Sequence, residues 1–436
     1  MPTSGKFPAD FNFAIRTSQF CNLMQLSPVF VILAPVQVLF YILVLIEIGL
    51  GLYSLWDGFT WFRLVRQRLA SHAGFYTPTT ALICPCKGNE RGLEENLLAL
   101  ARFDYPNYEV YFTLATNSDP ALKAIERVKT SSPRPVHIVI AGSPVDSSEK
   151  IFNLRHAIEV LQPDKFETLV FVDSDVRLPR GWLTKLIAPL QDTQIGATTA
   201  YRWIIPSGSG IDSLASCLAS AWNGAVATTL GKPTGDFCWG GGTAIRRKTF
   251  DDANVLESWK GAVSDDLAMT YALEQASKPI VFCPECFAAT VHPWTMSELL
   301  EFTNRQILIT RIYSPRRWQM GAIAHLSYTF TVLFAAGLIV YNIVDGDPWG
   351  QLLLVVLAIP LLASMKGAIR TIAVTEAIPG WKEKLQEWGW VCPVLAPVVP
   401  FLFAWNFLAS LVTKNIRWRG IRYQLVTPNM TRLLKR

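Results

Sequence analysis

Long apolar runs lie toward both ends of this chain, and a block of shorter, more polar segments separates them. Residues 28–56 carry a single charged side chain, Glu47, whereas about 20 apolar residues are enough for a helix to cross a bilayer. Three further apolar runs occupy residues 322–344, 349–365 and 390–412. The pattern predicts an N-terminal transmembrane anchor and a C-terminal membrane region.

The residues that flank the first run indicate its orientation. We interpret the run as an anchor rather than a cleavable signal peptide, because a mixed segment precedes it and no A-x-A site follows. Arg63, Arg66 and Arg68 follow the run, whereas Lys6 and Arg16 precede it. The positive-inside rule then places the central block in the cytosol, as in a protein of the bacterial inner membrane or an equivalent membrane.

The last apolar run raises a question of topology. It carries Pro393, Pro397 and Pro400, so it either crosses with a kink or turns back inside the bilayer. A single crossing would put residues 413–436 opposite the central block, yet this tail has seven basic residues and no acidic one. Because basic segments favour the cytosol, we predict that the run is re-entrant.

The central block alternates β-rich and helical patterns, which predicts an α/β fold with a doubly wound, mostly parallel sheet. The predicted strands are residues 80–84, 108–114, 136–141, 168–172, 195–201 and 279–283. The predicted helices between them are residues 93–102, 120–129, 149–161 and 181–190. Ligands of such sheets bind at the carboxyl ends of the strands, so candidate residues should follow strands directly.

Two acidic pairs stand at such positions. Asp173 and Asp175 follow the predicted strand 168–172, where two carboxylates suit a hard divalent cation that also binds a diphosphate. A simple turn is equally compatible with this spacing. Asp265 and Asp266 begin a predicted helix. In a structural interpretation the helix dipole stabilises their negative charge; in a functional interpretation they supply a general base.

Other polar residues fall at the same predicted edge. Lys87 and Glu90 lie in the loop after the first strand, and Lys150 and Asn153 open a later helix; each pair either caps a helix or binds a nucleotide. Gly240-Gly-Gly242 predicts a tight turn that lets backbone approach a ligand. The chain has neither a dinucleotide-binding glycine motif nor a Walker lysine loop, so a dehydrogenase or kinase is not indicated.

Cysteine and histidine spacing gives a weak metal signal. Cys84 and Cys86, like Cys283 and Cys286, lie at strand ends without a second C-x-x-C at zinc-ribbon spacing, which favours reduced, partly buried thiols. His292 is the histidine nearest the predicted site and is a candidate metal ligand, although a lone histidine is more often structural.

Composition agrees with a membrane protein. Half of the residues are hydrophobic and 17% are charged, which is too apolar for an ordinary soluble chain. The net charge of +6 is mild, so no nucleic-acid partner is expected. Because the excess charge lies in the tail 413–436, we expect this tail to lie on the membrane or over a nucleotide diphosphate.

The order of several motifs carries a resemblance. They are Cys84-Pro-Cys-Lys-Gly88, Phe103-Asp-Tyr-Pro-Asn-Tyr-Glu-Val110, Ser118-Asp-Pro-Ala121, Glu149-Lys-Ile-Phe-Asn-Leu154, Val172-Asp-Ser-Asp-Val-Arg177, Gly240-Gly-Gly-Thr-Ala-Ile-Arg-Arg247, Ser264-Asp-Asp266 and Trp418-Arg-Gly-Ile-Arg-Tyr-Gln-Leu425. Together they make the chain resemble membrane glycosyltransferases of the family 2 type, most closely the ceramide glucosyltransferases and their bacterial relatives. The resemblance spans residues 81–425.

The resemblance implies a cytosolic GT-A domain that uses a UDP-sugar and Mg²⁺ or Mn²⁺ to glycosylate a membrane lipid. Asp266 matches the presumed catalytic base and Asp173 matches the family's second acidic motif. Asp175 completes a D-x-D, which ceramide glucosyltransferases often lack, and the two carboxylates are expected to hold the metal. His292 is a further candidate ligand from its position in the sequence alone. Candidate residues for binding the nucleotide-sugar are Pro85, Lys87, Glu90, Asp119, Lys150, Asn153, Asp173, Arg305 and Arg311. The implied product is a β-linked glycolipid.

Two departures from the family pattern leave an alternative open. Thr116 stands where the family has its first aspartate, and Asp119 is the only acid nearby. In the family's fourth motif Arg305 fits, but Leu308 and Ile309 occupy the Arg-Trp positions; Arg311, or Arg317 with Trp318, would have to supply the missing contact. The alternative is a non-catalytic relative that binds a nucleotide or lipid.

The sequence thus predicts an inverting lipid glycosyltransferase that transfers a hexose, with glucose as the first candidate, to a ceramide-like lipid, diacylglycerol or hopanoid. Its predicted parts are an N-terminal segment (1–27), an anchor (28–56), a basic linker (57–76), a catalytic domain (77–295), an interfacial amphipathic helix (296–320), a membrane region (321–412) and a basic tail (413–436). Residues 211–230 are expected to form a buried or membrane-surface helix that borders the lipid.

Overall fold

The computed structural model describes residues 28–71, 74, 76–90, 92–144, 146–232 and 236–435. The predicted N-terminal segment 1–27, with Lys6 and Arg16, lies outside the described residues. Within them, three helices are long and apolar enough to cross a membrane: Pro35–Ala70, Pro315–Asp345 and Gly350–Ala377. Large apolar side chains on these helices are exposed, as Leu45 is at 62% and Ile323 at 71%, which is the surface expected to face lipid.

The N-terminal helix differs from its prediction at one end. Helix α1 runs over Pro28–Ala70 without interruption, so the predicted linker 57–76 is helical as far as Ala70. No helix-breaking residue separates the apolar part from the basic part, because the only proline inside the helix is Pro35. A helix of this length reaches well beyond the hydrocarbon layer and connects the membrane region rigidly to the central domain.

The central domain is built on a seven-stranded sheet. Its strands are β1 (Thr80–Pro85), β2 (Tyr108–Leu114), β3 (Val136–Ile140), β4 (Thr168–Phe171), β5 (Ala197–Thr199), β7 (Thr243–Arg246) and β8 (Ile280–Phe282). They lie in the order β3-β2-β1-β4-β7-β5-β8. Strands β3, β2, β1 and β4 are parallel, β7 is antiparallel to both neighbours, and β5 is parallel to β8. The predicted α/β fold with a mostly parallel sheet is confirmed.

Alternating side chains of the buried strands build the core on both faces of this sheet. In β1, Leu82 packs in the layer beneath one face, while Ala81 and Ile83 pack in the layer on the other. The helices of the domain are α2 (Leu93–Leu100), α3 (Ala121–Ser131), α4 (Glu149–Val160), α5 (Trp182–Ile187), α6 (Leu214–Ala227), α7 (Arg247–Asp252), α8 (Val255–Ser258) and α9 (Asp265–Gln275). Helix α6 packs on the strand Arg202–Ile205, to which Ser220 and Asn223 donate hydrogen bonds.

Two small sheets complete the domain, and neither follows from the strand predictions. Strand β6 (Arg202–Ile205) pairs in parallel with β9 (Ala288–Val291). The tail forms an antiparallel sheet of β10 (Asn415–Trp418), β11 (Ile421–Thr427) and β12 (Met430–Lys435). Ile416, Tyr423 and Leu425 of this sheet are buried in the core of the central domain, so the tail is a folded part of that domain.

The C-terminal helices break where proline and serine interrupt the pattern. Helix α10 (Met296–Tyr313) is followed by Ser314 outside the helix, so the predicted single helix 296–320 is in fact two, with Arg317 and Trp318 on the next. The remaining helices are α11 (Pro315–Asp345), α12 (Gly350–Val356), α13 (Ala358–Ala377), α14 (Lys382–Glu387), α15 (Val391–Leu395) and α16 (Val399–Val412). The predicted re-entrant run therefore consists of two short helices, α15 and α16, each too short to span a bilayer alone.

Candidate functional site

Parallel pairing of β1 with β4 brings two loops together at the carboxyl edge of the sheet. Pro85 ends β1 and Lys87 follows it, whereas Asp173 and Asp175 follow β4. Strand ends that meet at one edge are where ligands of α/β sheets bind. The structure thus places these four predicted residues around one cavity.

Lys150 is the centre of the charged site. Its ammonium nitrogen Nζ lies 2.8 Å from Asp173 Oδ1 and 3.1 Å from Asp265 Oδ2, and it donates a hydrogen bond of 3.3 Å to the carbonyl of Gly240. Burial by itself lowers the pKa of Lys150, but Asp173, Asp265 and Asp266 more than offset burial, so the net pKa is raised. Lys150 therefore stays protonated and holds two carboxylates together.

Asp265 is a functional candidate that the sequence presents only together with Asp266, whereas the family resemblance selects Asp266 alone as the base. Its side chain is buried at the start of α9. Burial raises its pKa to about 6, with Asp266 and Asp173 adding to the rise and Lys150 opposing it. Its position beside Asp266 was visible in the sequence, whereas its pairing with Lys150, which lies on another helix, was not.

The turn Gly240-Gly-Gly242 brings the backbone close to the Lys150 ammonium. A Cβ atom at position 240 would lie 2.5 Å from Lys150 Nζ and 2.8 Å from Asp265 Oδ2. Only glycine leaves room there, because the Gly240 carbonyl must reach the ammonium. The predicted close approach of backbone at this turn is observed, toward Lys150.

Arg202 is a site residue that the sequence analysis missed. Its guanidinium lies 3.9 Å from Asp173 Oδ2 and 4.0 Å from Asp175 Oδ2, and it stacks over the Trp239 ring at 5.4 Å. Arg202 directly follows the predicted strand 195–201, so the rule that site residues follow strands would have found it. That strand ends at Thr199, and Arg202 begins β6.

Asp266 lies in the first turn of α9, which Ser264 caps by accepting from the amide of Leu267 at 3.4 Å. The Ser264 hydroxyl donates to Asp266 Oδ1, and the Leu267 amide donates to the same oxygen at 2.8 Å. Among the described residues, none donates a hydrogen bond to Asp266 Oδ2. The half-buried side chain lines the cavity, so this oxygen is available to a ligand.

The tail closes one side of the site. Arg419, in the turn between β10 and β11, lies 2.8 Å from Glu90 Oε1 and donates to the carbonyl of Lys87 at 3.2 Å. Burial alone would lower the pKa of Arg419, but Glu90, Asp175 and Asp173 raise it. Arg419 thus places one basic residue of the tail at the strand-end site, and its expected contact with a nucleotide diphosphate stays a prediction.

The other predicted nucleotide-site residues divide into two groups. Asn153 is buried with its Oδ1 unpaired, and Arg305, whose pKa burial lowers to about 10, stacks 5.6 Å over Trp418; both line the cavity. Asp119 and Arg311 are not among the described lining residues. Asp119 Oδ1 instead accepts from the amides of Gly88 and Ala121 at 2.8 and 2.9 Å.

Arg311 ties two helices together, because it donates to the carbonyl of Ser410 in α16 and stacks 5.8 Å over Trp318. Arg317 forms an ion pair with Glu274 at 2.7 Å, while Arg317 and Trp318 both border the cavity. The contact that replaces the missing Arg-Trp motif therefore remains a prediction, with these two residues in the better position.

One carboxylate oxygen of this site is free to bind a divalent cation. Asp175 Oδ1 is buried without a hydrogen-bond partner, and such an oxygen suits a hard cation. His292 faces Glu298 at 3.8 Å and Trp294, and within the described ranges no three His, Cys, Asp or Glu side chains surround a common metal position.

Cys84 and Cys283 are buried free thiols, and burial raises the pKa of each.

The cavity extends from the charged site into the membrane region and has a volume of about 2040 Å³. Asp173, Lys150 and Asp266 line one end, whereas Tyr328 of α11 and Phe403 and Phe407 of α16 line the other. Trp222 of α6 borders it and stacks on Phe403 at 4.9 Å. The predicted helix within residues 211–230 is thus observed as a buried wall.

Comparison with known proteins gives one family. The sequence model of glycosyl transferase family 21 matches residues 39–430. Among solved structures, a mannosyltransferase from Pyrobaculum calidifontis in complex with GDP-mannose and Mn²⁺ is similar at a TM-score of 0.46 and 16% identity, covering 82% of this chain and 98% of that one. Glucosyl-3-phosphoglycerate synthase from Mycobacterium tuberculosis, in complex with phosphoglyceric acid, gives 0.35 and 15%, covering 55% and 85%.

Proposed function

The chain belongs to glycosyl transferase family 21, and we propose that it is a membrane-bound inverting enzyme that transfers a hexose, glucose first among them, from a UDP-sugar to a lipid hydroxyl. The acceptor is a ceramide-like lipid, diacylglycerol or hopanoid, and the product is a β-linked glycolipid. One observation carries the proposal: a single cavity joins charged residues at strand ends to apolar side chains of the membrane helices.

The charged end of the cavity suits the donor. Arg419, Lys87 and Lys150 supply cationic groups for a diphosphate, while Pro85, Glu90 and Asn153 line the adjoining wall that we assign to the nucleoside. Asp173 and Asp175 would hold Mg²⁺ or Mn²⁺, which when bound supplies positive charge against the developing charge on the diphosphate.

Asp266 is the proposed general base. Its Oδ2 removes the proton from the acceptor hydroxyl while that oxygen bonds to the anomeric carbon. The bond between the anomeric carbon and the diphosphate oxygen breaks, UDP departs with the electron pair, and configuration at this carbon inverts. The hydrogen bonds from Ser264 and Leu267 to Oδ1 orient the carboxylate for this step.

The apolar end suits the acceptor chain. Phe403 and Phe407 belong to α16, and Tyr328 to α11, next to helices long enough to cross a membrane. A lipid that lies along these side chains would keep its chain in an apolar environment, because ligand pockets are mostly apolar with a few placed polar groups. Its hydroxyl could then approach Asp266 from the membrane side, with the central domain in the cytosol.

Transfer can be tested with purified full-length protein, UDP-glucose, Mn²⁺ and vesicles that contain ceramide, diacylglycerol or a hopanoid. We expect UDP release and a glycolipid product, and Asp266→Asn should lower kcat by about 10²–10⁴-fold. The matched control is Asp251→Asn on α7, an exposed position. Robust turnover by Asp266→Asn would exclude this residue as the base, whereas tight UDP binding without turnover on any acceptor would favour the non-catalytic alternative.

A further inference from the structure

A cluster of basic side chains lines the membrane half of the cavity, away from the strand-end site. Lys366 and Arg370 lie one turn apart on α13, and Lys232 follows α6. Asp57 of α1 is 2.9 Å from Lys232 Nζ and 3.4 Å from Lys366 Nζ. We call these four residues the basic cluster.

The basic cluster has more cations than its carboxylate can balance. Asp57 is shared by two lysines, and within the described residues Arg370 forms no ion pair with any carboxylate. Lys366 and Arg370 stand four residues apart on one helix, an arrangement in which like charges repel. Glu47, the other acid of this half of the cavity, lies ten residues from Asp57 on α1, about 15 Å along the helix.

Arg370 is the clearest sign of a missing ligand. Arg370 is 6% exposed, and its Nε has no hydrogen-bond partner. Within the described residues its guanidinium contacts two neutral side chains, the Thr228 hydroxyl at 3.5 Å from Nη2 and the Cys392 thiol. Gly224 makes room for it, because a Cβ there would lie 3.1 Å from Arg370 Cδ. A guanidinium has five N–H donors in a fork that matches carboxylate and phosphate oxygens.

Lysine and arginine within a membrane segment are costly and usually face a functional cavity. At the strand-end site the buried Lys150 is balanced by two carboxylates, Asp173 and Asp265. The basic cluster instead presents a surplus of positive charge to the half of the cavity that we assign to the acceptor.

We propose that the basic cluster binds an anionic group, a phosphate or a carboxylate, carried by the acceptor lipid, with Arg370 and Lys366 as its direct ligands. The inference rests on the proposed transferase function and adds to it: the preferred acceptor is a lipid that has both a free hydroxyl and a negative charge. Asp57 then tunes the site by reducing its positive charge.

The test compares two acceptors that share a diacylglycerol body, namely diacylglycerol and phosphatidylglycerol. Wild-type protein should show a higher kcat/KM for phosphatidylglycerol. Arg370→Gln and Lys366→Gln should each lower the ratio of the two kcat/KM values by about tenfold or more, as expected for lost hydrogen bonds to a charged group. Asp57→Asn should raise the ratio. Lys384→Gln, exposed on α14 and outside the cavity lining, should leave the ratio unchanged.

The variants are expected to change the ratio of the two kcat/KM values in opposite directions. A structural defect would not raise this ratio in Asp57→Asn and lower it in Arg370→Gln and Lys366→Gln, so the comparison separates binding from folding. Equal kcat/KM values for the two lipids, with a ratio that no variant moves, would overturn the proposal while leaving the transferase function intact. The proposal would also be overturned if the variants changed the relative kcat/KM for UDP-glucuronate and UDP-glucose, because the basic cluster would then respond to the charge of the donor.

Two further measurements distinguish the source of the anion and the failure of the transferase function. Phosphatidic acid, which has the phosphate but no free hydroxyl, should compete with phosphatidylglycerol; stimulation of transfer to diacylglycerol would instead indicate a regulatory phospholipid and contradict the proposal. Equilibrium binding of fluorescent phosphatidylglycerol to the purified protein requires no turnover. Binding that Arg370→Gln weakens would support the anion site even if no acceptor were glycosylated.

Discussion

The two ends of the cavity differ in how their buried cations are balanced by carboxylates. At the strand ends, the cations beside the acidic pairs contact carboxylates: Lys150 has Asp173 and Asp265, and Arg202 approaches Asp173 and Asp175. In the basic cluster, Asp57 is the sole close carboxylate within the described residues. The first arrangement suits a metal cation, and the second suits an anion.

The difference also bears on what each charge contributes to stability. Removing one member of a buried ion pair leaves its partner uncompensated and is strongly destabilising, whereas removing an unpaired charge is not. Lys150 of the strand-end site should therefore be needed for folding, whereas Arg370 of the basic cluster should be needed for binding. Four predictions test this contrast, in decreasing order of expected effect.

Lys150→Met should destabilise the protein by about 3–5 kcal/mol, because it leaves Asp173 and Asp265 buried without their shared cation. Arg370→Met should change stability by about 1 kcal/mol or less, since no carboxylate loses a partner. Unfolding in detergent by denaturant titration measures both variants. Adding Asp265→Asn to Lys150→Met should recover part of the loss. Equal destabilisation by Lys150→Met and Arg370→Met would contradict the contrast between the two ends.

The pH dependence of stability should reveal Asp265. Its pKa is raised in the folded state from 3.8 to about 6, so the protonated form favours folding and its contribution is complete below about pH 4. That contribution disappears as the pH rises through about 6. Asp265→Asn should therefore gain stability relative to wild type between about pH 4 and 6. Melting temperatures across this range, with the exposed Asp251→Asn variant as control, measure the difference; parallel curves would refute it.

A feature of the fold or of the site can be predicted from the sequence when the residues that form it lie close together along the chain. Strand β2 was predicted residue for residue because its pattern is local, and Asp173, Lys150 and Asp266 were identified because site residues follow strands or open helices. The shared ion pair of Lys150 was not predictable, because Asp173 and Asp265 lie on other elements. The contact between Arg419 and Glu90 joins the tail to the first loop, and no local pattern encodes it.

The sequence also does not predict where one short strand ends and the next begins in a different sheet. The predicted strand 195–201 ends early at Thr199, and β6 starts at Arg202 in a different sheet. Both segments are β-rich, so periodicity alone joins them. The tail was interpreted from its charge, yet Ile416, Tyr423 and Leu425 bury it in the domain core, because alternating apolar residues between the basic ones form a sheet face.

Arg419→Gln should weaken donor binding, with an increase of about tenfold in the KM for the UDP-sugar, because it removes a cation proposed to contact the diphosphate. The loss of its ion pair with Glu90 should contribute little to stability, since both side chains are about one-third exposed. Steady-state kinetics with varied donor measure the change. Arg422→Gln, exposed on the same sheet, is the matched control, and an equal effect of both variants would assign the change to tail charge in general.

The smallest effect is expected at Asp119, the acid nearest to Thr116, which stands at the position of the family's first aspartate. Its Oδ1 accepts from the amides of Gly88 and Ala121, and an amide oxygen can accept both bonds equally well. Asp119→Asn should therefore change the donor KM by less than about threefold, whereas Asp119→Ala should cost about 1 kcal/mol of stability through the lost loop hydrogen bonds. Donor kinetics and unfolding of both variants separate the two roles. A rise in donor KM well above that limit for Asp119→Asn would show that its negative charge matters to the nucleotide, so that the strand-end site extends further along β2 than the cavity lining indicates.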